Sequence, residues 1–342
     1  GEQLAGPDVV KLNTNENPYP PSPRVAEALA RFDVATLRRY PSPLADGFRA
    51  VAARVHQVTP EQVLATNGSD EFLRLAFTTF VDPGACVAWP EPAYSLYPVL
   101  AAVQDCRVFT VPLDEAGQPP ADLADRANEQ AARLLCLVNP NAPSGSLVPL
   151  ERLDALASTF RGVLLLDEAY VDFVDPERHH DTVDLLARHH NVLLSRTLSK
   201  GYGLAGLRFG YGLGPEALIA PMRDKTRDAY NLDGIAQALA TAALEDQPYA
   251  RDTWARVRRD RDALAGALRE LGFDPLPSQA NFLFARVPAG ASARALYEGL
   301  RDRRVLVRWF DRPGLSDRLR VSVGTPGEHE RLLRGLRELL GP

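Results

Sequence analysis

Short, continuously apolar segments alternate with longer segments of helical character between residues 37 and 245. The predicted strands span residues 63–65, 85–89, 108–111, 133–138, 163–166, 192–195 and 209–213, and the first predicted helices span residues 44–56, 71–80 and 94–103. Continuously apolar strands separated by helices favour a mainly parallel sheet covered on both faces, which predicts the α/β class. Ligands of such sheets bind outside the carboxyl ends of the strands, so residues that follow a strand are the first candidates for function.

The last third of the chain has a different rhythm. A long helix is predicted over residues 249–271, followed by strands at 281–286, 306–308 and 319–322 and helices at 293–303 and 328–340. With 342 residues the chain exceeds one ordinary core. The opening stretch at 12–23 is rich in proline and predicts an extended arm. We therefore expect an N-terminal arm (1–36) packing with the small domain, a large domain (37–248) and a small α+β domain (249–342).

The charge and cysteine content favour a small-molecule ligand and a reducing compartment. The formal net charge is −5, and the 39 Lys and Arg residues are scattered, so no basic patch for nucleic acid or an anionic membrane is visible. The three cysteines, Cys86, Cys106 and Cys136, lack metal-ligand spacing and lie among apolar residues, which predicts buried thiols. No run approaches the roughly 18 apolar residues of a membrane span, and a cytoplasmic protein is expected.

Lys200 has an unusual setting. Residues 199–209 read S-K-G-Y-G-L-A-G-L-R-F, and Lys200 and Arg208 are the only charged residues between Leu198 and Tyr211. Apolar surroundings and a nearby cation favour the neutral, nucleophilic amine, which can bind a cofactor aldehyde as a Schiff base. Taken alone, the segment favours a solvated lysine in a glycine-rich loop, which is the commoner case.

Residues 67–71, Asn-Gly-Ser-Asp-Glu, follow a predicted strand and open a predicted helix. Free backbone N–H groups at a helix start, with a glycine that permits close approach, form an anion site suited to phosphate. The alternative is an ordinary turn in which Ser69 or Asp70 caps the helix.

Two acids, Asp167 and Glu168, follow four apolar residues at the end of a predicted strand. A magnesium site of an NTPase would also require a G-K-[ST] loop, which the sequence lacks. A second interpretation places Asp167 against a heteroaromatic ring nitrogen, so that the ring can accept electrons. A purely structural aspartate is the third, although two buried acids are costly to desolvate.

Several weaker candidates complete the set. The loop at 139–145 can present a side-chain amide, Tyr94 can stack on a flat cofactor, and Arg320 can clamp a carboxylate or phosphate. Each is equally compatible with a turn, a core aromatic residue or an exposed arginine. The histidine pairs at 179–180 and 189–190 lack a metal-ligand spacing and are interpreted as solvated loop residues, so no metal is predicted.

Six motifs occur in a recognisable order along nearly the whole chain. They are N-x-N-E-N-P at 13–18, R-Y-P at 39–41, N-G-S-D-E at 67–71, D-E-A-Y at 167–170, S-K-x-x-x-L-A-G-x-R at 199–208 and R-x-S-V-G-T at 320–325. In this order the chain resembles the fold-type-I pyridoxal-phosphate aminotransferases, and most closely the histidinol-phosphate aminotransferase family. The resemblance implies pyridoxal 5'-phosphate as the cofactor and a homodimer.

The resemblance also implies a role for individual residues. Lys200 would form the Schiff base and move the substrate proton, Asp167 would pair with the pyridine nitrogen, and Tyr170 would hydrogen-bond the phenolic oxygen. The remaining cofactor contacts implied are stacking by Tyr94 and phosphate binding by Gly68, Ser69, Asp70, Thr197, Ser199, Arg208 and the partner subunit's Tyr40. The implied substrate-binding residues are Tyr19, Arg308 and Arg320.

One motif departs from the family pattern. Where the family usually has P-N-N-P-T-G, with its second asparagine at the phenolic oxygen, this chain has Ala142 and Ser144 in place of that Asn and the Thr. We expect Asn141, one residue earlier, to supply the amide.

The implied reaction converts L-histidinol phosphate and 2-oxoglutarate to imidazole acetol phosphate and L-glutamate in histidine biosynthesis. An aromatic or broad-specificity aminotransferase would keep the same cofactor residues, as would a pyridoxal-phosphate decarboxylase of a phosphorylated amino acid. A non-enzymatic protein that retains the fold is disfavoured because Lys200, Asp167, Tyr170 and Arg208 are all present.

Overall fold

The computed structural model describes residues 4, 6 and 8–341. Its thirteen described strands are β1 Val10–Lys11, β2 Val63–Thr66, β3 Cys86–Glu91, β4 Arg107–Pro112, β5 Ala132–Val138, β6 Val163–Asp167, β7 Val192–Thr197, β8 Gly210–Leu213, β9 Asp274–Pro275, β10 Phe282–Arg286, β11 Val305–Leu306, β12 Arg308–Trp309 and β13 Arg318–Ser322. Its twelve described α-helices are α1 Pro23–Arg31, α2 Asp46–His56, α3 Gly68–Phe80, α4 Leu96–Val103, α5 Leu123–Glu129, α6 Leu150–Thr159, α7 Asp184–Arg188, α8 Glu216–Pro221, α9 Gly234–Glu245, α10 Gln247–Glu270, α11 Ala293–Asp302 and α12 Pro326–Leu340.

The large sheet has seven strands in the order β2-β8-β7-β6-β5-β3-β4. Four neighbouring pairs are parallel, while β8 runs antiparallel to both β7 and β2. The predicted α/β class with a mainly parallel sheet is therefore confirmed. The carboxyl ends of β3, β5, β6 and β7 face the same edge, which places the residues that follow them together.

The central strands are covered on both faces, which explains their unbroken apolar sequence. Along β5, Leu135 and Leu137 pack into the hydrophobic cluster on one side of the sheet, whereas Leu134, Cys136 and Val138 pack into the cluster on the other. Successive strand residues point to opposite faces, so a strand with both faces covered has to be apolar at every position.

A second sheet carries the order β12-β13-β10-β9 and is antiparallel. Arm strand β1 pairs in parallel with β11, and a third hydrophobic cluster joins Val10 and Leu12 of the arm to α10, α11 and α12. The single strand predicted at 306–308 is wrong, because two short strands, β11 and β12, pair with different partners there. The division into an arm (1–36), a large domain (37–248) and a small domain (249–342) stays a prediction.

Several helices have only weak sequence signals. The amphipathic helix α1 directly follows the proline-rich stretch, with Ser22 as its N-cap and Pro23 at its first position, a pairing typical of helix starts.

Of the three free cysteines, Cys86 and Cys136 are buried and Cys106 is partly exposed. Among the described residues, no helix combines the length and apolar character that crossing a membrane requires.

Candidate active site

The carboxyl ends of the central strands open into a cavity of about 560 Å³ between the large sheet and the smaller one. Side chains from both sheets and from the N-terminal arm line it. Of the residues predicted for the site, the lining includes Ser69, Asp70, Tyr94, Asp167, Tyr170, Thr197, Ser199, Lys200, Arg208, Arg308 and Arg320. The strand-end rule accounts for the residues between Ser69 and Arg208, which belong to the large sheet, whereas Arg308 and Arg320 reach the same cavity from the small sheet.

Lys200 lies in the loop between β7 and β8, and its ammonium donates a hydrogen bond to the backbone oxygen of Thr14, 2.8 Å away. Burial lowers the pKa of Lys200 to about 8, and the positive charges of Arg320 and Arg208 add to the effect, while Glu16 opposes it. A substantial fraction of the amine is therefore neutral near physiological pH, the form that attacks an aldehyde.

The low pKa of Lys200 predicts selective labelling. The chain has three lysines, Lys11, Lys200 and Lys225, of which Lys225 is exposed. In the cofactor-free protein, we expect Lys200 to react with an amine-specific reagent with a midpoint near pH 8, because only the neutral amine reacts. Mass spectrometry of labelled peptides across a pH series measures this midpoint. A Lys200 midpoint at the ordinary value of a lysine side chain would contradict the depressed pKa.

Asp167 ends strand β6 at the floor of the cavity. Its Oδ2 accepts a hydrogen bond from the hydroxyl of the fully buried Tyr97 at 3.1 Å, whereas Oδ1 is buried and has no partner within the described residues. Burial raises the pKa of Asp167 to about 7; the Tyr97 hydrogen bond opposes this and the charge of Asp70 adds to it. An unpartnered carboxylate oxygen facing a cavity fits the protonated nitrogen of a pyridine ring, which would supply the missing hydrogen bond and charge.

The neighbouring Glu168 explains how two adjacent acids are tolerated. Its carboxylate turns away from the cavity and pairs with Arg196 Nε at 2.9 Å, and it also accepts a short hydrogen bond from Thr182. A buried charge needs such partners. The two acids therefore serve different sides of the sheet.

The Tyr97 hydroxyl predicts a measurable effect on cofactor binding. Tyr97→Phe removes the donor to Asp167 and so raises the pKa of that carboxyl, which leaves less carboxylate to pair with a ring N–H at neutral pH. We expect pyridoxal phosphate to bind about 5- to 10-fold more weakly, measured by equilibrium dialysis, because one such hydrogen bond contributes about 1 kcal/mol. Tyr211→Phe is the matched control, since this buried tyrosine bonds His56 outside the cavity. Equal losses in both variants would rule out a specific effect on Asp167.

The start of α3 has the geometry of a phosphate site. The helix begins at Gly68 with Asn67 as its N-cap, two residues before Ser69 and three before Asp70, the two predicted caps, so its first N–H groups face the cavity rim. Gly68 has φ +74°, and a Cβ there would lie 2.7 Å from Arg208 Nη2. Arg208 lies 3.6 Å from Asp70 and 3.4 Å from the Ser199 hydroxyl. A half-exposed guanidinium next to helix N–H groups and hydroxyls matches a phosphate dianion.

Two tyrosines flank the same space. Tyr94, which lies in the loop before α4, donates a hydrogen bond from its hydroxyl to Asp70 at 3.1 Å. Tyr170 is buried, packs edge-on against Phe282 with ring centroids 5.1 Å apart, and accepts a hydrogen bond from the Asn15 amide at 3.0 Å. Both hydroxyls belong to residues that line the cavity.

The small sheet contributes two arginines. Arg308 on β12 lies directly opposite Arg320 on β13, and both guanidiniums lie over the Phe310 ring, 5.3 and 5.5 Å from its centroid. Arg320 donates to the backbone oxygen of Asn13 at 3.1 Å, but its Nε is buried without a partner within the described residues. Burial and the nearby Arg308 lower the pKa of Arg320, and Tyr170 opposes this.

Asn141 and Tyr19 are predicted site residues that do not line the cavity. Asn141 is fixed inside its own loop, because its amide donates to the Pro92 oxygen at 3.1 Å and its Oδ1 accepts from the Ser144 hydroxyl at 2.8 Å. Ala142 lines the cavity in its place. The expectation that Asn141 supplies an amide to the cofactor stays a prediction. Tyr19 points elsewhere too, donating to Asp260 at 2.6 Å beneath the guanidinium of Arg256.

Tyr40 also lies outside this cavity. Its side chain is 81% exposed and stacks on Tyr230 with ring centroids 4.4 Å apart. The predicted contact of Tyr40 with a partner subunit's cofactor stays a prediction.

Sequence reasoning missed two residues beside the cavity, Tyr97 and Asn15. Tyr97 looks like an ordinary core aromatic residue, and its hydroxyl partner is 70 positions away. Asn15 belongs to the N-x-N-E-N-P motif and has φ +56°, a conformation that asparagine tolerates better than most residues. The repeated asparagines in an otherwise extended arm were the available signal.

The fold, with Lys200 and Asp167 lining the same cavity, defines a pyridoxal-phosphate-dependent aminotransferase of fold type I. The family described as aminotransferase class I and II matches residues 7–336. The predicted fold class and cofactor are thereby confirmed.

Full-length relatives make the assignment narrower. The chain is 43% identical to histidinol-phosphate aminotransferase 1 of Trichormus variabilis over 99% of this chain and 95% of the relative. It is 42% identical to the histidinol-phosphate aminotransferase of Microcystis aeruginosa over 100% of this chain and 95% of that relative. The histidinol-phosphate aminotransferase of Sinorhizobium meliloti, solved in complex with pyridoxal-5'-phosphate, superposes with a TM-score of 0.90 at 27% identity, covering 99% of this chain and 95% of that one. The chain belongs to the histidinol-phosphate aminotransferase family.

Proposed function

We propose that the protein transfers the amino group of L-histidinol phosphate to 2-oxoglutarate, giving imidazole acetol phosphate and L-glutamate in histidine biosynthesis. The observation that carries the proposal is the pair of arginines on the small sheet. Neither Arg308 nor Arg320 forms an ion pair with an acidic side chain among residues 8–341, although they lie directly opposite each other. Like charges across a strand pair are destabilising, so this arrangement favours an anionic ligand.

The two substrates suit such a pair. L-Histidinol phosphate carries a phosphate and no carboxylate, whereas glutamate carries two carboxylates. A guanidinium presents its donors as a planar fork that matches either group. Arg320, with a buried and unpartnered Nε, is the residue we assign to the shared anion position.

The residues around the cavity fit pyridoxal phosphate. We assign Lys200 to the aldehyde carbon, Asp167 Oδ1 to the pyridine nitrogen, Tyr170 to the phenolic oxygen and Tyr94 to the ring face. We assign the cofactor phosphate to the start of α3 and the residues around it, namely Gly68, Ser69, Asp70, Thr197, Ser199 and Arg208. When bound, the cofactor withdraws electrons from the substrate Cα and stores the amino group between the two half-reactions.

Lys200 then acts as the acid–base group. Its Nζ accepts the proton from the substrate Cα and returns it at the cofactor side, which requires a pKa near the working pH. The pKa of about 8 that burial gives this amine supports that role.

We also propose that the enzyme is a cytoplasmic homodimer with Tyr40 completing the partner's site. Support comes from the exposed apolar side chains near Tyr40, of which Val34 is 70% and Leu37 49% exposed. Mixing the inactive variants Lys200→Ala and Tyr40→Ala tests this, because a heterodimer would contain one intact site. Failure to regain activity after subunit exchange would contradict a shared site.

The reaction itself is tested by adding substrates to the purified, cofactor-loaded enzyme. We expect L-histidinol phosphate to remove the visible absorbance of the bound cofactor rapidly and L-phenylalanine to do so slowly. A preference for phenylalanine would reassign the enzyme to aromatic amino acids, and release of carbon dioxide from a phosphorylated amino acid would indicate a decarboxylase.

A further inference from the structure

Asn15 is the centre of a buried hydrogen-bond network that joins the N-terminal arm to both sheets. Its side-chain Nδ2 donates to the Tyr170 hydroxyl at 3.0 Å, next to β6 of the large sheet. On the other side, the Ser322 hydroxyl at the end of β13 bonds both the backbone and the side chain of Asn15. The Asn281 amide donates to the Asn15 backbone oxygen at 2.9 Å.

The network fixes which way the Asn15 amide faces. Ser322 Oγ accepts the Asn15 backbone N–H at 2.8 Å, so its own hydrogen is left to donate to Asn15 Oδ1 at 3.1 Å. The carbonyl side of the amide therefore faces Ser322, and the NH₂ side faces Tyr170. A flipped amide would accept the Tyr170 proton at Oδ1 and would leave the Ser322 hydroxyl hydrogen without its acceptor.

The direction of this bond decides where the Tyr170 proton goes. Because Tyr170 accepts from Asn15, its single hydroxyl hydrogen remains free to be donated elsewhere. Within the described residues the Tyr170 hydroxyl has no acceptor for that hydrogen, and Tyr170 lines the cavity. The hydrogen bond from Asn15 and the charge of Arg320 both favour negative charge on this oxygen, against the burial that raises the pKa of Tyr170.

We propose that Asn15 is a positioning residue that orients the Tyr170 hydroxyl proton toward the phenolic oxygen of the cofactor. The inference rests on the assignment of Tyr170 to that oxygen in the proposed function. It bears on this chain in particular because the cavity wall at 142 is an alanine, which has no amide, and the Asn141 amide donates to the Pro92 oxygen.

The proposed role requires an asparagine at position 15, because only an amide of this shape offers Tyr170 a hydrogen-bond donor. Asn15 is 2% exposed and has φ +56°, and three hydrogen bonds with Ser322 and Asn281 hold its backbone and side chain in place. Aspartate has nearly the same shape but offers an acceptor where Tyr170 needs a donor. Asn15→Asp would therefore attract the Tyr170 proton and turn it away from the cavity.

The experiment measures the pH midpoint of the visible absorption band of the bound cofactor in the purified enzyme. A hydrogen bond donated to the phenolic oxygen stabilises the form in which that oxygen is negative, so losing the bond raises the midpoint. We expect Tyr170→Phe to raise it by about 1 to 2 pH units and Asn15→Ala by about one unit or less, since the tyrosine then donates only part of the time. Asn15→Asp is expected to raise it as much as Tyr170→Phe.

A double-mutant comparison separates positioning from general damage. Adding Asn15→Ala to Tyr170→Phe should cause no further shift, because the effect passes through the hydroxyl. Asn191→Ala is the control for losing a hydrogen-bonded asparagine amide, since Asn191 bonds the backbone oxygens of Ala157, Phe160 and Gly162, none of which lines the cavity.

The outcomes distinguish the two assignments. An unchanged midpoint in Tyr170→Phe would overturn the placement of Tyr170 at the phenolic oxygen. A shift in Tyr170→Phe with none in Asn15→Ala, or equal shifts from Asn15→Ala with and without the Tyr170 hydroxyl, would overturn the role of Asn15 alone.

Discussion

Replacing Lys200 with alanine is expected to lower the transamination rate by at least about 10³-fold, because the same amine binds the cofactor aldehyde and moves the substrate proton. The variant should also lose the visible absorption band that the lysine-bound cofactor gives. Steady-state rates with L-histidinol phosphate and an absorption spectrum of the purified variant measure both effects. Lys200 forms no ion pair with an acidic side chain in the described part of the chain, so its removal leaves no buried charge unpaired. The fold should therefore stay intact, which circular dichroism checks.

Lys225→Ala is the control for this substitution, because Lys225 is exposed and lies outside the cavity. We expect wild-type rates and spectrum from it. Full activity in Lys200→Ala would refute the assignment of the chemistry to this residue.

Replacing Arg320 with alanine is expected to lower kcat/KM by about 10²-fold or more for both L-histidinol phosphate and glutamate. Each substrate would lose a fork of charge-assisted hydrogen bonds in a site where solvent cannot replace it. Arg308 remains on the neighbouring strand but is more exposed, so it should recover only part of the binding. Steady-state kinetics in both directions of the reaction provide the measurement.

Arg320→Lys keeps the charge but removes the planar fork, and it should recover only part of the activity. Arg303→Ala, which breaks an exposed pair with Glu338 away from the cavity, serves as the control and should behave like the wild type. If Arg320→Ala impaired glutamate alone, another group would have to hold the substrate phosphate, and Arg308 would be the next candidate.

Residues that directly follow a strand were predictable from sequence. Asp167 ends β6 and Lys200 comes three residues after β7, so a periodicity argument and the strand-end rule place both beside the cavity. The start of α3 at 67–71 followed from the same reasoning. These positions depend on local pattern and sheet topology, which the sequence expresses strongly.

Side-chain direction in loops was not predictable in the same way. Whether Asn141 or Ala142 faces the cavity depends on the hydrogen bonds that Asn141 makes with Pro92 and Ser144. The direction of the Tyr19 side chain depends on Asp260, which lies 241 residues further along the chain. Tyr97 and Asn15 escaped notice for a related reason. Their partners belong to distant elements, and a single sequence carries no sign of such contacts.

The loop at 198–209 joins the two antiparallel strands β7 and β8, and it carries both Lys200 and Arg208. The assigned aldehyde and phosphate anchors of the cofactor are thus parts of one hairpin, whereas Arg320 belongs to the other sheet. Any displacement of the small sheet would change the separation of Arg320 from Lys200 but not that of Lys200 from Arg208. A shift of the small sheet would then release the product from Arg320, while Lys200 and Arg208 keep the cofactor bound from one catalytic cycle to the next.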